Sequence, residues 1–582
     1  MQQDPFLKVW TMRLASANWM QFMALVQCKG VGLGQAFGSM LVCLWSFLLV
    51  SSWTGCSTQH YEESANRVAA SLIAEKTPLV ANMDPSFALQ EVDPADLSPL
   101  PVSDKLEPFL GKTGQSEVGT RVVSLEVALK LATDYNRNYL RNKEDLYLQA
   151  LALSLVRFDY APMRGNLASK VQTEVDGMVK ETTIKSGANV KMSWLLRTGG
   201  QLATQFTSNF VQLVSGNGNL ETSSEFVATF TQPFLRGAGY RIAIENLTQA
   251  ERDLLYAIRR FTRYRKEFSV SIVQSYYQVL QNRDRARNAF QGYESFKASV
   301  EREQARAAEG ETPLSELNRL KESLLSTEQG WISAIRNYQL SRDQFKMELG
   351  LSMDTAMILD EKELDGLTIH HPDLSVEQAV EVALVMRLDL DTVRDELIDA
   401  ERRINVAADG LQAQLDLELS GTLSSRPGSG VAFPNPRERS WTASLGVDLP
   451  INRIKERNNY RASLIGHDRA RRQLELSLDQ VKLDIQDGWR NLEQRKREFE
   501  ISQVRVELSQ NRRDEEILKR ELGLGLALDL VDAQNDLINS QNQLTSALIS
   551  HTIARLGFWR DMGILFIKEG GQWEEKDYEL LQ

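Results

Sequence analysis

Cysteine is scarce in this chain of 582 residues: there are three, Cys28, Cys43 and Cys56, all before residue 57. The rest of the sequence is therefore barred from disulfides, iron–sulfur clusters and cysteine-based zinc sites. Histidine is nearly as rare, with five residues: His60, His370, His371, His467 and His551. No Ser-His-Asp or paired-carboxylate constellation stands out, so neither an enzyme nor a cofactor or metal site is expected. Excess positive charge is missing too. The net charge is −11, which argues against a broad phosphate-binding surface and against a nucleic-acid partner. The apolar run from about Met40 to Trp53 is shorter than the roughly 20 residues of a spanning helix. Proline is absent from two long stretches, 241–309 and 456–521.

The short apolar run fits a secretory signal. Lys8, Arg13 and Lys29 precede it, as a signal h-region requires. It closes on Thr54-Gly55-Cys56, and Gly-Cys there resembles a lipobox, with Trp53 where that motif usually has leucine. A leader over 1–55 and a lipid on Cys56 are expected; plain cleavage and a retained membrane anchor are the alternatives.

What is present is a duplication. "GETPLSELNRLKESL" from Gly310 echoes "GLGLALDLVDAQNDL" from Gly523, 213 residues later. At the same offset of 213, Tyr276 meets Trp489, Ala334 meets Ala547, Arg342 meets Arg555, Phe345 meets Phe558 and Gly350 meets Gly563. Earlier in each copy the offset is 251: Ser124, Glu126, Ala128 and Ala132 meet Ser375, Glu377, Ala379 and Ala383. A coiled-coil echo would hold no fixed offset, so the pattern reads as a true repeat. The change of offset says that the middle of repeat one holds extra residues.

Both copies read as helix, polar alternating region, proline, long helix, short turn, helix. In the second long stretch Leu478, Val481, Ile485, Trp489 and Leu492 recur at three- and four-residue spacings, one face of a helix. At 1.5 Å per residue each proline-free stretch spans about 100 Å, too long for a compact globule. The shorter helices, about 124–157 with 314–350 and 375–408 with 527–563, sum to nearly the same length, so each repeat is expected to form two parallel rods. The alternating regions differ in kind. Leu411, Ala413, Leu415, Leu417, Leu419 and Leu423, and then Trp441, Ala443, Leu445, Val447 and Leu449, alternate with polar residues, the period of a two-faced strand. Repeat one offers "FVATFTQPF" from Phe226 and residues 190–210. No sequence is left over to build a soluble core against these strands, whereas a membrane barrel needs such alternation. About four strands per chain cannot close a barrel of eight or more, so several chains must share one.

With these motifs in order ("SLEVALKLA", "TQPFLRG", "GETPLSEL", "DLPINR", "GLGLALDLVDAQ") the sequence resembles the TolC family of outer membrane factors over about residues 122–565. The resemblance implies a mainly α fold with β: duplicated long helical hairpins forming a trimeric α-helical tunnel in the periplasm, and a shared 12-stranded transmembrane β-barrel in the outer membrane. It implies a passive exit duct of a tripartite efflux or type I secretion system. The partners would be a homotrimer, a periplasmic adaptor (membrane fusion protein), an inner membrane transporter and outer membrane lipid. The expected organisation is a leader over 1–55, a lipid-anchored extended segment over 56–121 lying along the tunnel, repeat one over 122–367, a linker over 368–373, repeat two over 374–566 and a tail over 567–582.

In this reading the repeated turns are the periplasmic tips that close the tunnel and meet the adaptor: Gly310, Thr312, Pro313, Leu314 and Ser315 in one, and Gly523, Leu524, Gly525, Leu526 and Ala527 in the other. The glycine permits a tight reversal, and an acid such as Glu316 or Asp529 favours the start of the returning helix. The resemblance also implies constriction acids at Asp529 and Asp532, three residues apart on one helical face; helix-start acids are the plain alternative. Arg520 and Glu316 are expected near the two tips as a clasp. Gly525 stands where well-known members have an arginine that ties the gate shut.

Two rival functions remain. A periplasmic adaptor carries one hairpin flanked by small β domains rather than a duplication, and a coiled-coil scaffold would have no membrane-facing strands. "GVGLGQAFG" at 30–38 lacks the preceding strand of a nucleotide loop. His370 and His371 read as solvated linker residues. Arginine-rich stretches such as "RRFTRYRKEF" are mixed with acids and read as tunnel wall.

Overall fold

The computed structural model describes residues 58–84, 87–89, 94–161, 164–176, 181–213, 221–311, 313–426, 434–449, 451–522, 524–568 and 570–575. Cys56, Thr312 and Gly523, and with them the lipid site and part of each tip, lie outside the described residues. The chain divides into a segment up to Arg67 and one compact unit from Val68 onward. Of the first, residues 58–67 are described, and they are helical, opening α1 (Thr58–Lys76).

Within the compact unit the helices repeat as expected. Repeat one has α2 (Leu125–Tyr135), α3 (Arg137–Asp159), α4 (Glu245–Ala308) and α5 (Leu314–Glu348); repeat two has α6 (Val376–Met386), α7 (Leu388–Asp409), α8 (Ile454–Glu521) and α9 (Ala527–Asp561). Ser124 caps α2 by accepting from the Val127 amide, and Ser375 forms a reciprocal box with Gln378 at the start of α6; each cap satisfies an otherwise orphaned helix-start donor. The single helices expected over 124–157 and 375–408 are each two. The break falls at Asn136 and Arg387, repeat-related positions where ψ swings to 123° and 114°. Asn136 then caps α3 through the Tyr139 amide and donates to the Glu348 carbonyl at 2.5 Å.

The same joint explains a conserved spacing between the copies. Gly350 and Gly563 close α5 and α9 with φ of 75° and 82°, a left-handed turn that costs glycine little. A Cβ on Gly350 would stand 2.0 Å from the Tyr135 carbonyl oxygen, and one on Gly563 would stand 2.7 Å from that of Met386. Each short rod thus rests on the break in the other.

Toward the tips α5 packs on α4, α4 on α9 and α9 on α8; in the other half α3 packs on α4, α4 on α7 and α7 on α8. Four rods therefore lie side by side, with α3 and α5 along one border and α8 along the other. Both borders carry exposed apolar side chains at helical spacing: Leu148 and Leu155 on α3, Leu325, Ile332, Leu340 and Met347 on α5, and Leu476, Leu483, Ile501, Val504 and Leu508 on α8.

The segment before α2 is pinned to the rods. Glu117 is buried between Arg283 (2.7 Å), Arg342 (3.1 Å) and the Tyr338 hydroxyl (2.8 Å), and Trp331 donates to the Phe109 carbonyl at 2.7 Å. Two short strands, β1 (Arg121–Val123) and β6 (Met357–Leu359), pair in parallel beside it, and β9 (Leu565–Ile567) pairs with β10 (Trp573–Glu575).

The larger sheet corrects the strand count. It has six antiparallel strands rather than about four, in the order β2 (Arg164–Asp176), β3 (Glu181–Leu195), β4 (Gln201–Leu213), β5 (Glu221–Pro233), β7 (Gln414–Ser424) and β8 (Arg439–Asp448). Repeat two supplies one hairpin and repeat one supplies two. The drop in offset from 251 to 213 marks a surplus of 38 residues, nearly the span 164–200 that holds β2, β3 and their following turn. Strand β2 escaped the sequence because its large apolar members, Leu167, Val171 and Val175, stand four apart with Ser169 and Thr173 between, a diluted alternation. In register the pattern is clear. Leu167, Val190, Phe206, Phe226 and Leu423 form one cross-sheet row, and Trp194, Leu202, Phe230, Leu419 and Ala443 another on the same face. The opposite face carries Ser193, Ala203, Thr229, Ser420 and Thr442 in one row. Among the described residues no helix is long and apolar enough to cross a membrane.

Candidate functional site

The two turns are built alike. At the end of α4 the Gly310 amide donates to the Ala307 carbonyl and the Glu311 amide to that of Arg306, with Gly310 at φ 82°. At the end of α8 the Leu524 amide reaches the Lys519 carbonyl at 2.9 Å. This is the paired closure that satisfies the last carbonyls of a helix. Pro313 and Leu526 then take extended backbone just before α5 and α9, and the Pro313 carbonyl accepts the Glu316 amide at 3.0 Å. Proline is tolerated there because no helical partner for its nitrogen is lost.

One guanidinium joins the turns. Arg520 grips Glu303 of α4 with two hydrogen bonds, 2.9 and 2.6 Å, reaches Glu316 of α5 at 3.2 Å, and donates to the Gly525 carbonyl of its own turn at 2.7 Å. Its side chain is 15% exposed and that of Glu303 6%, so the pair is largely withdrawn from solvent. Bidentate pairing of this kind adds geometric specificity to charge. Arg306 of α4 donates to the Arg520 carbonyl at 2.9 Å and to that of Glu521, where a cation meets the negative end of the α8 dipole. Glu303 and Arg306 were not singled out in the sequence. Their signal was present: they stand 213 residues before Glu516 and Lys519, an acid and a base at matching places in the second copy.

The remaining tip residues divide by exposure. Leu314, Leu522, Leu524, Leu526 and Leu528 are exposed, Leu524 by 79%. Pro313 and Ser315 are also exposed, and Gly525 is half-buried. Ala527 opens α9. Asp529 and Asp532 are exposed on the side of α9 opposite buried Leu530, Val531, Ala533 and Leu537. Farther along the same side, Asp536 pairs with Arg512 at 2.5 Å.

His371 departs from its solvated reading. It is half-buried, packs on Trp489 at 5.2 Å and faces His551 at 6.2 Å between ring centroids. His551 itself is buried. Burial, then the neighbouring His371, Arg555 and Lys496, hold its proton affinity down, to a pKa of about 4. An unfolded imidazole protonates near 6.5, so lowering the pH favours the unfolded chain across the window from about 6.5 to 4. Stability is expected to be full above that window and to fall through it. Melting temperatures of the purified protein at stepped pH check this, and His551→Gln should flatten the slope; an unaltered slope in that variant would refute the assignment.

Solved structures share this architecture. A membrane protein from Pseudomonas aeruginosa is similar at 16% identity and a TM-score of 0.57, over 82% of this chain and 100% of that one. CusC, whose structures concern folding and transmembrane channel formation, is similar at 13% identity and a TM-score of 0.56, over 81% and 99%. The CmeC outer membrane channel of Campylobacter jejuni is similar at 12% identity and a TM-score of 0.56, over 86% and 97%. No family model and no curated protein matches the sequence. The repeated rods, the two-faced sheet and the paired turns together give this chain the fold of solved outer membrane channels.

Proposed function

We propose that the protein is an outer membrane exit duct, a homotrimer whose helical tunnel stands in the periplasm and which serves an efflux or type I secretion system with a periplasmic adaptor and an inner membrane transporter. One observation carries the reading: the unfilled borders coincide. Exposed apolar rows run along α3 and α5 on one side and α8 on the other, and the strand after α3 and the strand before α8 are the two open edges of the sheet. Unpaired strand edges are intolerable in lipid, and pairing of one chain's border with the next chain's opposite border fills both at once. A scaffold or adaptor would have no use for the sheet's apolar face. The exposed leucines at the tips suit a surface that an adaptor covers, since contiguous apolar exposure marks interaction sites. Detergent extraction followed by mass measurement and planar-bilayer recording tests the proposal. A conducting trimer is expected; a stable monomer in buffer without detergent would sink it.

Within this reading Asp529 and Asp532 line the narrow end, three copies of each around the axis. Such crowded carboxylates attract cations over the roughly 8–10 Å that salt leaves unscreened. Asp529→Asn with Asp532→Asn is expected to lower cation selectivity and divalent block several-fold in single-channel recordings; unchanged selectivity would leave them as helix-start acids. Cys56 would carry the lipid of a leader cleaved after residue 55, and Cys56→Ser should abolish labelled fatty-acid incorporation while channels still form.

A further inference from the structure

The two-hairpin contribution of repeat one changes the size of the pore. We propose that the membrane barrel of this protein has eighteen strands, six from each of three chains, and that its extracellular mouth admits hydrophilic solutes too wide for a twelve-stranded one. The inference rests on the trimeric duct reading for its factor of three and on the sheet for its factor of six.

Three observations make β2 and β3 part of the barrel wall and not a surface flap. Their apolar residues continue the lipid-side rows of the other strands, Leu167 opposite Val190 and Val190 opposite Phe206, while Asn166, Lys191 and Gln205 continue the polar side. Their lengths, 13 and 15 residues, exceed the 9–11 that cross a bilayer. The turn from β3 to β4 is held at the helix end of the sheet. Thr198 accepts the Gly239 amide at 3.2 Å there, and a Cβ on Gly199 would stand 2.5 Å from the Gly237 carbonyl oxygen. The added hairpin therefore crosses the full sheet and returns to the base of the tunnel.

Direction also fits. Strand β2 runs away from the helices and β8 runs back toward them, so β8 of one chain meets β2 of the next antiparallel, as an all-antiparallel barrel requires. Barrel diameter grows roughly linearly with strand number, and barrels of 16–18 strands leave an aqueous channel. Eighteen strands give about 1.5 times the diameter of twelve.

Paired cysteines decide the seam. Directly opposed positions on neighbouring strands bring Cβ atoms within about 5 Å, close enough for a disulfide. In one panel Asn166→Cys, Ala168→Cys or Lys170→Cys is combined with Thr442→Cys, Ser444→Cys or Gly446→Cys; in the other Gln205→Cys, Thr207→Cys or Asn209→Cys replaces the β2 member. Covalent trimers absent from the parent chain are expected from the β2–β8 panel after oxidation in the membrane. Trimers from the β4–β8 panel alone would overturn the eighteen-stranded barrel and leave the exit duct standing with twelve. Trimers from neither panel would overturn the seam, and if the extracted protein is also monomeric the duct reading falls with it. A second measurement reads the pore. Polymer exclusion from the extracellular side should show a cut-off diameter about 1.5-fold larger for the full chain than for one lacking residues 164–200; equal cut-offs would overturn the proposal.

Discussion

Gly350→Ala is expected to cost more than about 4 kcal/mol, a loss outside the range of ordinary substitutions, and to deplete the folded protein in the cell. The new Cβ would stand 2.0 Å from the Tyr135 carbonyl oxygen and 2.4 Å from its carbon. Both atoms are backbone at the break between α2 and α3, so no rotamer change relieves the overlap. The φ of 75° adds the left-handed penalty of roughly 1–2 kcal/mol for a residue with a side chain. Gly563→Ala meets the Met386 carbonyl at 2.7 Å in the second copy and should follow with a smaller loss. Gly557, inside α9 with nothing within 4 Å of its Cβ position, is the contrast: alanine there should be neutral or gain up to about 1 kcal/mol of helix propensity. Melting temperature and membrane abundance of the three variants give the order. If Gly350→Ala melts with the parent, the close approach of α5 to the break does not support the fold.

In the exit duct proposed above, Arg520→Ala is expected to open the tunnel. The guanidinium touches α4, α5 and the second turn together. Its loss removes the two-point grip on Glu303, 6% exposed, whose ion pair with Arg306 is longer, at 3.6 Å. Breaking a buried pair from one side costs about 3–5 kcal/mol, and separating the turns relieves that cost by letting water reach the carboxylate. If about 3 kcal/mol of it bears on closure, the open-to-closed ratio rises on the order of a hundredfold. Single-channel conductance should then increase several-fold and show long open periods. Arg520→Lys should open partway, because an ammonium cannot reproduce the two-point grip. Glu316→Gln should act more weakly, since its contact is longer and more exposed. Wild-type conductance in Arg520→Ala would place the constriction elsewhere.

Much of this architecture was legible in the chain because it depends on period and offset. The long rods needed only proline-free stretches with apolar residues three and four apart, and the duplication needed only matched positions such as Phe345 and Phe558. Glycine at Gly310, Gly350 and Gly563 could be read as repeated, and its turn chemistry is local. Other features required the fold. The helix breaks at Asn136 and Arg387 follow from a distant glycine packing on the preceding carbonyl, a contact between residues over 170 apart. Strand β2 became visible only in register, because Leu167 gains its meaning from Val190 and Phe206 across the sheet. The partner of Arg520 was decided by tertiary packing as well. Sequence distance from the turns suggested Glu316, but the returning helix leaves that acid at the rim. The neighbouring rod brings Glu303, a turn and a half back along α4, into the guanidinium's two-pronged reach. Period and repeat are properties of one chain segment and survive in the sequence; register, close backbone approach and cross-rod pairing belong to segments that meet only on folding.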